Sequence, residues 1–125
     1  MFKGNKVFSS FSVNDLDEAQ NFYSKTLGLN VSKRSEGLNI ELSSGGKVFI
    51  YPKDDHEPAT FTILNFMVAD IEKTVDQLTE KGIKFENYDG ELKTDEKGIF
   101  RGHGPTIAWF KDPAGNFLSI IQDDQ

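Results

Sequence analysis

Two stretches of this chain, 55 residues apart, follow one plan, and any fold for it has to accommodate both. Val13-Asn14-Asp15-Leu16 opens an apolar series at Leu16, Ala19, Phe22, Tyr23 and Leu27, which is helical spacing, and the series stops at Gly28. Val68-Ala69-Asp70-Ile71 opens a second at Ile71, Val75 and Leu78, which stops at Gly82. In each copy an aspartate precedes the first apolar helical residue, where its carboxylate caps free N–H groups and meets the positive end of the helix dipole. The segments ahead of the helices, Val7 to Val13 and Thr62 to Val68, read as strands. The repeat pairs Phe11 with Phe66 and Val13 with Val68, and these four are expected beneath the helices. Strand alternation then turns Phe8, Ser10 and Ser12, and likewise Ile63, Asn65 and Met67, to the opposite face. A face that mixes Ser and Asn with apolar groups suits a ligand better than a sealed core.

After each helix the chain reads as strands again. They are Leu29 to Lys33, Leu38 to Leu42 and Val48 to Tyr51 in the first copy, and Ile83 to Glu86, Thr106 to Phe110 and Phe117 to Gln122 in the second. Turn-forming residues join the last two of each set, at Ser43-Ser44-Gly45-Gly46 and Asp112-Pro113-Ala114-Gly115-Asn116. The reading is a single domain over 1–125, with module 1 at about 6–52, a linker at about 53–60 and module 2 at about 61–122. The loop from Asn87 to Pro105 has no counterpart of its length in the first copy, and long loops generally cover or build a site.

The 125 residues suffice for one core, and eleven Phe, three Tyr and one Trp concentrate its apolar surface in large side chains. The net charge of -6 repels phosphate backbones and anionic headgroups, so neither nucleic acid nor a membrane surface is an expected partner. By itself an acidic balance suits a cationic ligand. No apolar run is long enough to span a bilayer, the first residues lack the apolar core of a secretory signal, and there is no Cys. A cytoplasmic protein without disulfides or thiolate chemistry is expected.

With these pieces in order the chain resembles the vicinal oxygen chelate superfamily, the group of glyoxalase I, bleomycin resistance proteins and extradiol dioxygenases. The matching motifs are Val13-Asn14-Asp15-Leu16 running into Phe22-Tyr23 and Leu27-Gly28-Leu29, Val68-Ala69-Asp70-Ile71 running into Lys81-Gly82-Ile83, and Phe110-Lys111-Asp112-Pro113-Ala114-Gly115-Asn116. The resemblance implies an α+β fold of two βαβββ modules, with curled mixed sheets enclosing a cavity, in a homodimer. It also implies four metal-ligand positions, one on each of four strands. They fall here on Phe8, Ile50, Ile63 and Ser119, with a register on the fourth strand that can slip to Phe49 or Tyr51. One serine hydroxyl cannot hold a hard divalent ion, so no metal and no other cofactor is expected, and the chain resembles the metal-free members.

Little other chemistry is legible. Asp54-Asp55-His56-Glu57 reads as a solvated loop between prolines, and no Ser, His and acid set marks a triad. Arg101 and His103 lie on the long loop, where they could meet a ligand at a cavity mouth. Alternation puts Phe117 and Ile121 beside Ser119. The expected ligand contacts are therefore Phe8, Ser10, Ile50, Ile63, Asn65, Arg101, His103, Phe117, Ser119 and Ile121, of which Phe8, Ser10, Ile63, Asn65, Phe117 and Ser119 would share one cavity. The expected function is metal-independent binding or sequestration of a small organic compound, an antibiotic for example. The alternatives are a lyase, isomerase or dioxygenase with a displaced or absent metal site, and an interaction module whose cavity is filled.

Overall fold

A computed structural model describes residues 1–124 as two compact units, Met1–Pro58 and a second that starts at Ala59. The first runs β1 (Ser9–Val13), α1 (Leu16–Asn21), a π-helical turn (Phe22–Thr26), β2 (Asn30–Arg34), β3 (Gly37–Glu41) and β4 (Lys47–Pro52). The second runs β5 (Thr62–Val68), α2 (Ile71–Glu80), a 3-10 turn (Gly90–Leu92), β6 (Ile99–Phe100), β7 (Ile107–Lys111) and β8 (Phe117–Gln122). Each unit holds a four-stranded mixed sheet, ordered β1-β4-β3-β2 and β5-β8-β7-β6, and β1–β4 and β5–β8 are the parallel pairs. This is the α+β architecture of two βαβββ modules that the repeat predicts.

The helix starts form as the aspartates require. Asp15 accepts from the Glu18 N–H at 3.0 Å and Asp70 from the Lys73 N–H at 3.1 Å, which satisfies amides that have no partner within the helix. Both helices end where glycine takes a positive φ, 71° at Gly28 and 95° at Gly82, a conformation costly for any side chain with a Cβ. The first helix is not regular to its end. After Asn21 it widens into the π turn, where the adjacent rings of Phe22 and Tyr23 meet edge to face at 5.1 Å.

In the first unit, Phe11 and Val13 are buried as expected, and Phe11 packs against the fully buried Tyr23. Their counterparts Phe66 and Val68 are only half-buried, because the apolar series of α2 is sparser and buries just Ile71 and Val75. The second core lies instead under Phe110, whose ring contacts Phe85 at 5.4 Å, with Leu118 and Ile120 beside it.

One expected strand does not form. Residues 83–86 bury Ile83 and Phe85, as their alternation suggests, yet make a single backbone bond to the sheet, Glu86 N–H to Trp109 O at 2.8 Å. The edge position goes to Ile99–Phe100 from within the long loop, paired with Ala108 and Ile107. Burial periodicity was legible in 83–86; which segment would complete the ladder was not, because two candidates compete for one edge.

The turn between β7 and β8 is built around two buried polar side chains. Asp112 Oδ1 accepts from the Asn116 N–H at 2.8 Å and Asp112 Oδ2 from Asn116 Nδ2 at 3.1 Å. Asn116 Oδ1 in turn accepts from the Ala59 N–H at 3.0 Å, fixing the entry to β5.

Candidate ligand-binding faces

Each sheet has a face toward its helix and a face away from it, and strand register assigns every side chain to one of them. On the second sheet the rows across the open face are Lys111, Phe117 and Thr62; Trp109, Ser119 and Asn65; and Ile107, Ile121 and Met67. Asn65, Phe117, Ser119 and Ile121 therefore share a face. Ser119 is fully buried and donates its hydroxyl hydrogen bond to Asn65 Oδ1, while Asn65 itself is exposed. The amide nitrogen of Asn65 remains a donor on the open side. Ile63 falls in a bulge, where the register shifts between Thr62 and Leu64, so simple alternation does not fix its side.

Trp109 anchors an aromatic wall at one margin of that face. Tyr88 meets it edge-on at 5.7 Å, and Phe100 lies 6.4 Å away. Burial and the nearby Glu86 carboxylate push the Tyr88 phenol up, so at neutral pH it is an uncharged O–H. Phe100 is held by a close backbone approach: a Cβ at Gly102 would come within 2.3 Å of its ring. Two residues beyond Trp109 on β7, the Lys111 ammonium sits 5.0 Å over the Phe117 ring.

On the first sheet the open face carries Ser10 beside Phe49 and Ser12 beside Tyr51, with Phe49 and Tyr51 stacked at 6.3 Å. Ile50 is not among them. It pairs with Phe11 and Leu38, is fully buried and faces the helix, which corrects its assignment as a ligand contact. The one-residue slip puts Phe49 and Tyr51 on the open face, and the reason is that β4 aligns with β1 rather than with its repeat partner's count from the turn. Phe8 lies just ahead of β1 and is 66% exposed.

Two loop residues also differ from expectation. Arg101 is engaged away from the sheet: its guanidinium pairs with Glu72 of α2 at 2.9 Å and with Asp95. Lys97 adds a bond to Asp76 at 3.1 Å, so charged pairs fasten the loop to α2. Burial pushes the Asp95 carboxyl up, but bonds from the Ile99 and Lys97 N–H groups and from Arg101 outweigh it and hold it below the usual carboxylate range. His103 is exposed in the same loop. His56, read as solvated, is half-buried, with Nδ1 2.7 Å from the Ser12 hydroxyl. No local signal marks that pair, since its members are 44 residues apart.

The second unit also contains a groove of about 360 Å³ between α2 and residues 82–87, with Val75, Ile83 and Phe85 along it and Lys84, Glu96 and Lys97 at its rim. It lies on the helix side of the sheet, because Phe85 packs on Phe110, which alternates with Trp109.

Two βαβββ units, each with an open face of mixed aromatic and hydroxyl or amide groups, define the class of protein this is. The chain belongs to the Glyoxalase/Bleomycin resistance protein/Dioxygenase superfamily, whose family model matches residues 8–120. An uncharacterized protein of Bacillus subtilis (strain 168), YraH, is 28% identical, the alignment covering 88% of this chain and 91% of that protein. Among solved structures, TnmS3, an antibiotic binding protein from Streptomyces sp. CB03234, superposes with a TM-score of 0.71 at 18% identity and covers 99% of both chains. The fosfomycin resistance protein FosX from Listeria monocytogenes gives 0.70 at 11% identity, over 96% of this chain and 93% of its own.

The four positions at which the resemblance places metal ligands do not make a donor set. Phe8 and Ile63 have none, Ile50 has none and faces the helix, and the Ser119 hydroxyl is spent on Asn65. Among the described residues no three His, Cys, Asp or Glu side chains converge. Hard divalent ions need several oxygen or imidazole ligands at short range, so these residues do not fit one. Among the described residues no helix is long and apolar enough to cross a membrane.

Proposed function

We propose that this protein binds a small organic molecule on the open faces of its sheets, as a sequestering or resistance protein, and does so without a metal. The observation that carries the reading is the composition of the second open face. Trp109, Phe117, Ile121 and Met67 offer apolar and aromatic surface, while Asn65 and Lys111 add a few polar groups to orient a ligand. Phe117, Ile121 and Asn65 are the ligand contacts proposed from the expected set, with Ser119 holding Asn65 in place. On the first sheet Ser10, Phe49 and Tyr51 extend the list. The antibiotic-binding and resistance relatives support this reading, and the absence of Cys is in keeping with a cytoplasmic setting.

Metal independence has a direct test. Protein purified without chelator should carry no stoichiometric zinc, nickel, manganese or iron, and adding each ion should leave its melting temperature unchanged. A native-state ligand at about 100 times its dissociation constant adds about 2.7 kcal/mol, which a thermal scan resolves easily. A stabilisation of that size, lost on replacing one acidic or His residue, would establish a displaced site and return the lyase, isomerase or dioxygenase reading.

We also propose a homodimer. The edge strands β1 and β5 are flanked by exposed apolar side chains, Val7 and Phe8 ahead of one, Phe61 and Met67 on the other, and such edges invite a partner. Light scattering at micromolar concentration should give twice the 14.0 kDa of the chain. A mass of one chain would refute the dimer and leave the binding proposal standing.

A further inference from the structure

We infer that the ligand of the second open face is a planar aromatic anion, a carboxylate or phenolate, despite the acidity of the protein as a whole. The inference rests on the binding reading above and adds the sign of the charge. Across β5, β7 and β8, Lys111 is the sole charged residue, so the net charge of -6 resides elsewhere on the molecule. No carboxylate among the described residues lies within salt-bridge distance of its ammonium. The ammonium instead rests over the Phe117 ring, 5.0 Å from its centroid. Long-range fields from distant surface charges are screened within about 8 Å at physiological salt, so the local cation outweighs the global balance.

The aromatic wall around Trp109 gives the face a direction. Glu86 is hydrogen-bonded through its backbone to Trp109, and its carboxylate raises the neighbouring Tyr88 phenol, so negative charge already stands at the aromatic wall. An anionic substituent is repelled there and attracted at Lys111. A flat ring along the Trp109, Ser119 and Asn65 row would have its charged group toward Lys111, which stands in the neighbouring row with Phe117. The Asn65 amide nitrogen adds a donor to that row, which also suits an anion or a carbonyl.

Trp109 is the single tryptophan of the chain, so quenching of intrinsic fluorescence reports on this face alone. The probes are 4-nitrobenzoate, 4-nitrobenzyl alcohol and 4-nitrobenzylamine, which share a quenching ring and differ in charge, titrated into the full-length protein at pH 7.5. The benzoate should bind about fivefold more tightly than the alcohol, the scale of one partly exposed ion pair, and the amine more weakly than either. Lys111→Met should abolish the difference between benzoate and alcohol, and Lys111→Arg should restore it. Equal binding of all three, a preference for the amine, or an anion preference that survives Lys111→Met overturns the charge assignment and leaves the binding reading intact. If none of the three quenches Trp109 at millimolar concentration, both fall together.

Discussion

Phe110→Ala should lower the unfolding free energy by about 3–5 kcal/mol, the cost of an aromatic deletion in a packed interior that cannot fully collapse. Phe110 is fully buried and lies edge-on to Phe85, which belongs to the irregular segment rather than to the sheet. The substitution therefore removes both the transfer free energy of the ring and the contact that fastens 83–86 to β7. A domain of this size is stable by only about 5–15 kcal/mol, so the variant should show a markedly lower urea midpoint with its slope preserved. Phe117→Ala, seven residues on and facing the other way, should cost less, because its ring is partly exposed where that of Phe110 is fully buried. Equal losses for the two would mean that the face assignment is wrong.

The second large effect concerns the β7–β8 turn. Asp112→Ala removes two buried hydrogen bonds, from the Asn116 N–H and from its side-chain amide, and losing an acceptor for a buried donor costs about 1–3 kcal/mol. We expect a total loss of about 3–4 kcal/mol in chemical denaturation. Asp112→Asn keeps one acceptor oxygen and should recover part of it. The consequences extend beyond the turn, since Asn116 also holds the Ala59 N–H at the entry to β5. Recovery of full stability in Asp112→Ala would show that water replaces the carboxylate there.

Much of this fold could be read from the chain because its signals are local. Asp15 and Asp70 cap helices three residues ahead of the amides they satisfy, and Gly28 and Gly82 end them by conformational freedom alone. The strands β5 and β8 were placed correctly at both ends, and alternation then assigned Asn65, Phe117, Ser119 and Ile121 to one face. What escaped was decided by long-range pairing. Ile50 was assigned by counting from a turn glycine, whereas its face is set by parallel pairing with Phe11, 39 residues earlier in the chain. Arg101 looked like a ligand contact because its partner Glu72 is 29 residues away on a helix, and the Ser12–His56 pair spans 44. Trp109 reads from the sequence as either a lining or a core aromatic, and Lys111 carries no local signal; flanking Phe110 on a strand, both fall on the open face.

The close fit at Gly37 belongs to a larger division of labour. A Cβ there would lie 2.1 Å from the Ile50 carbonyl oxygen and 2.9 Å from the Phe49 ring, so that position admits no other residue without moving backbone. Gly37 itself lies on the open face, beside the Phe49 ring, and its neighbour Leu38 is fully buried on the helix side with Ile50; away from such close fits, every second side chain of a strand points away from the core. Each strand thus carries two interleaved texts, one that the fold edits strictly and one that it leaves almost unread. Open-face positions that hold no buried partner, such as Met67 and Lys111, can be rewritten singly with little risk to folding, so a lineage built on this sheet can trade one small molecule for another by single substitutions, without crossing an unfolded intermediate.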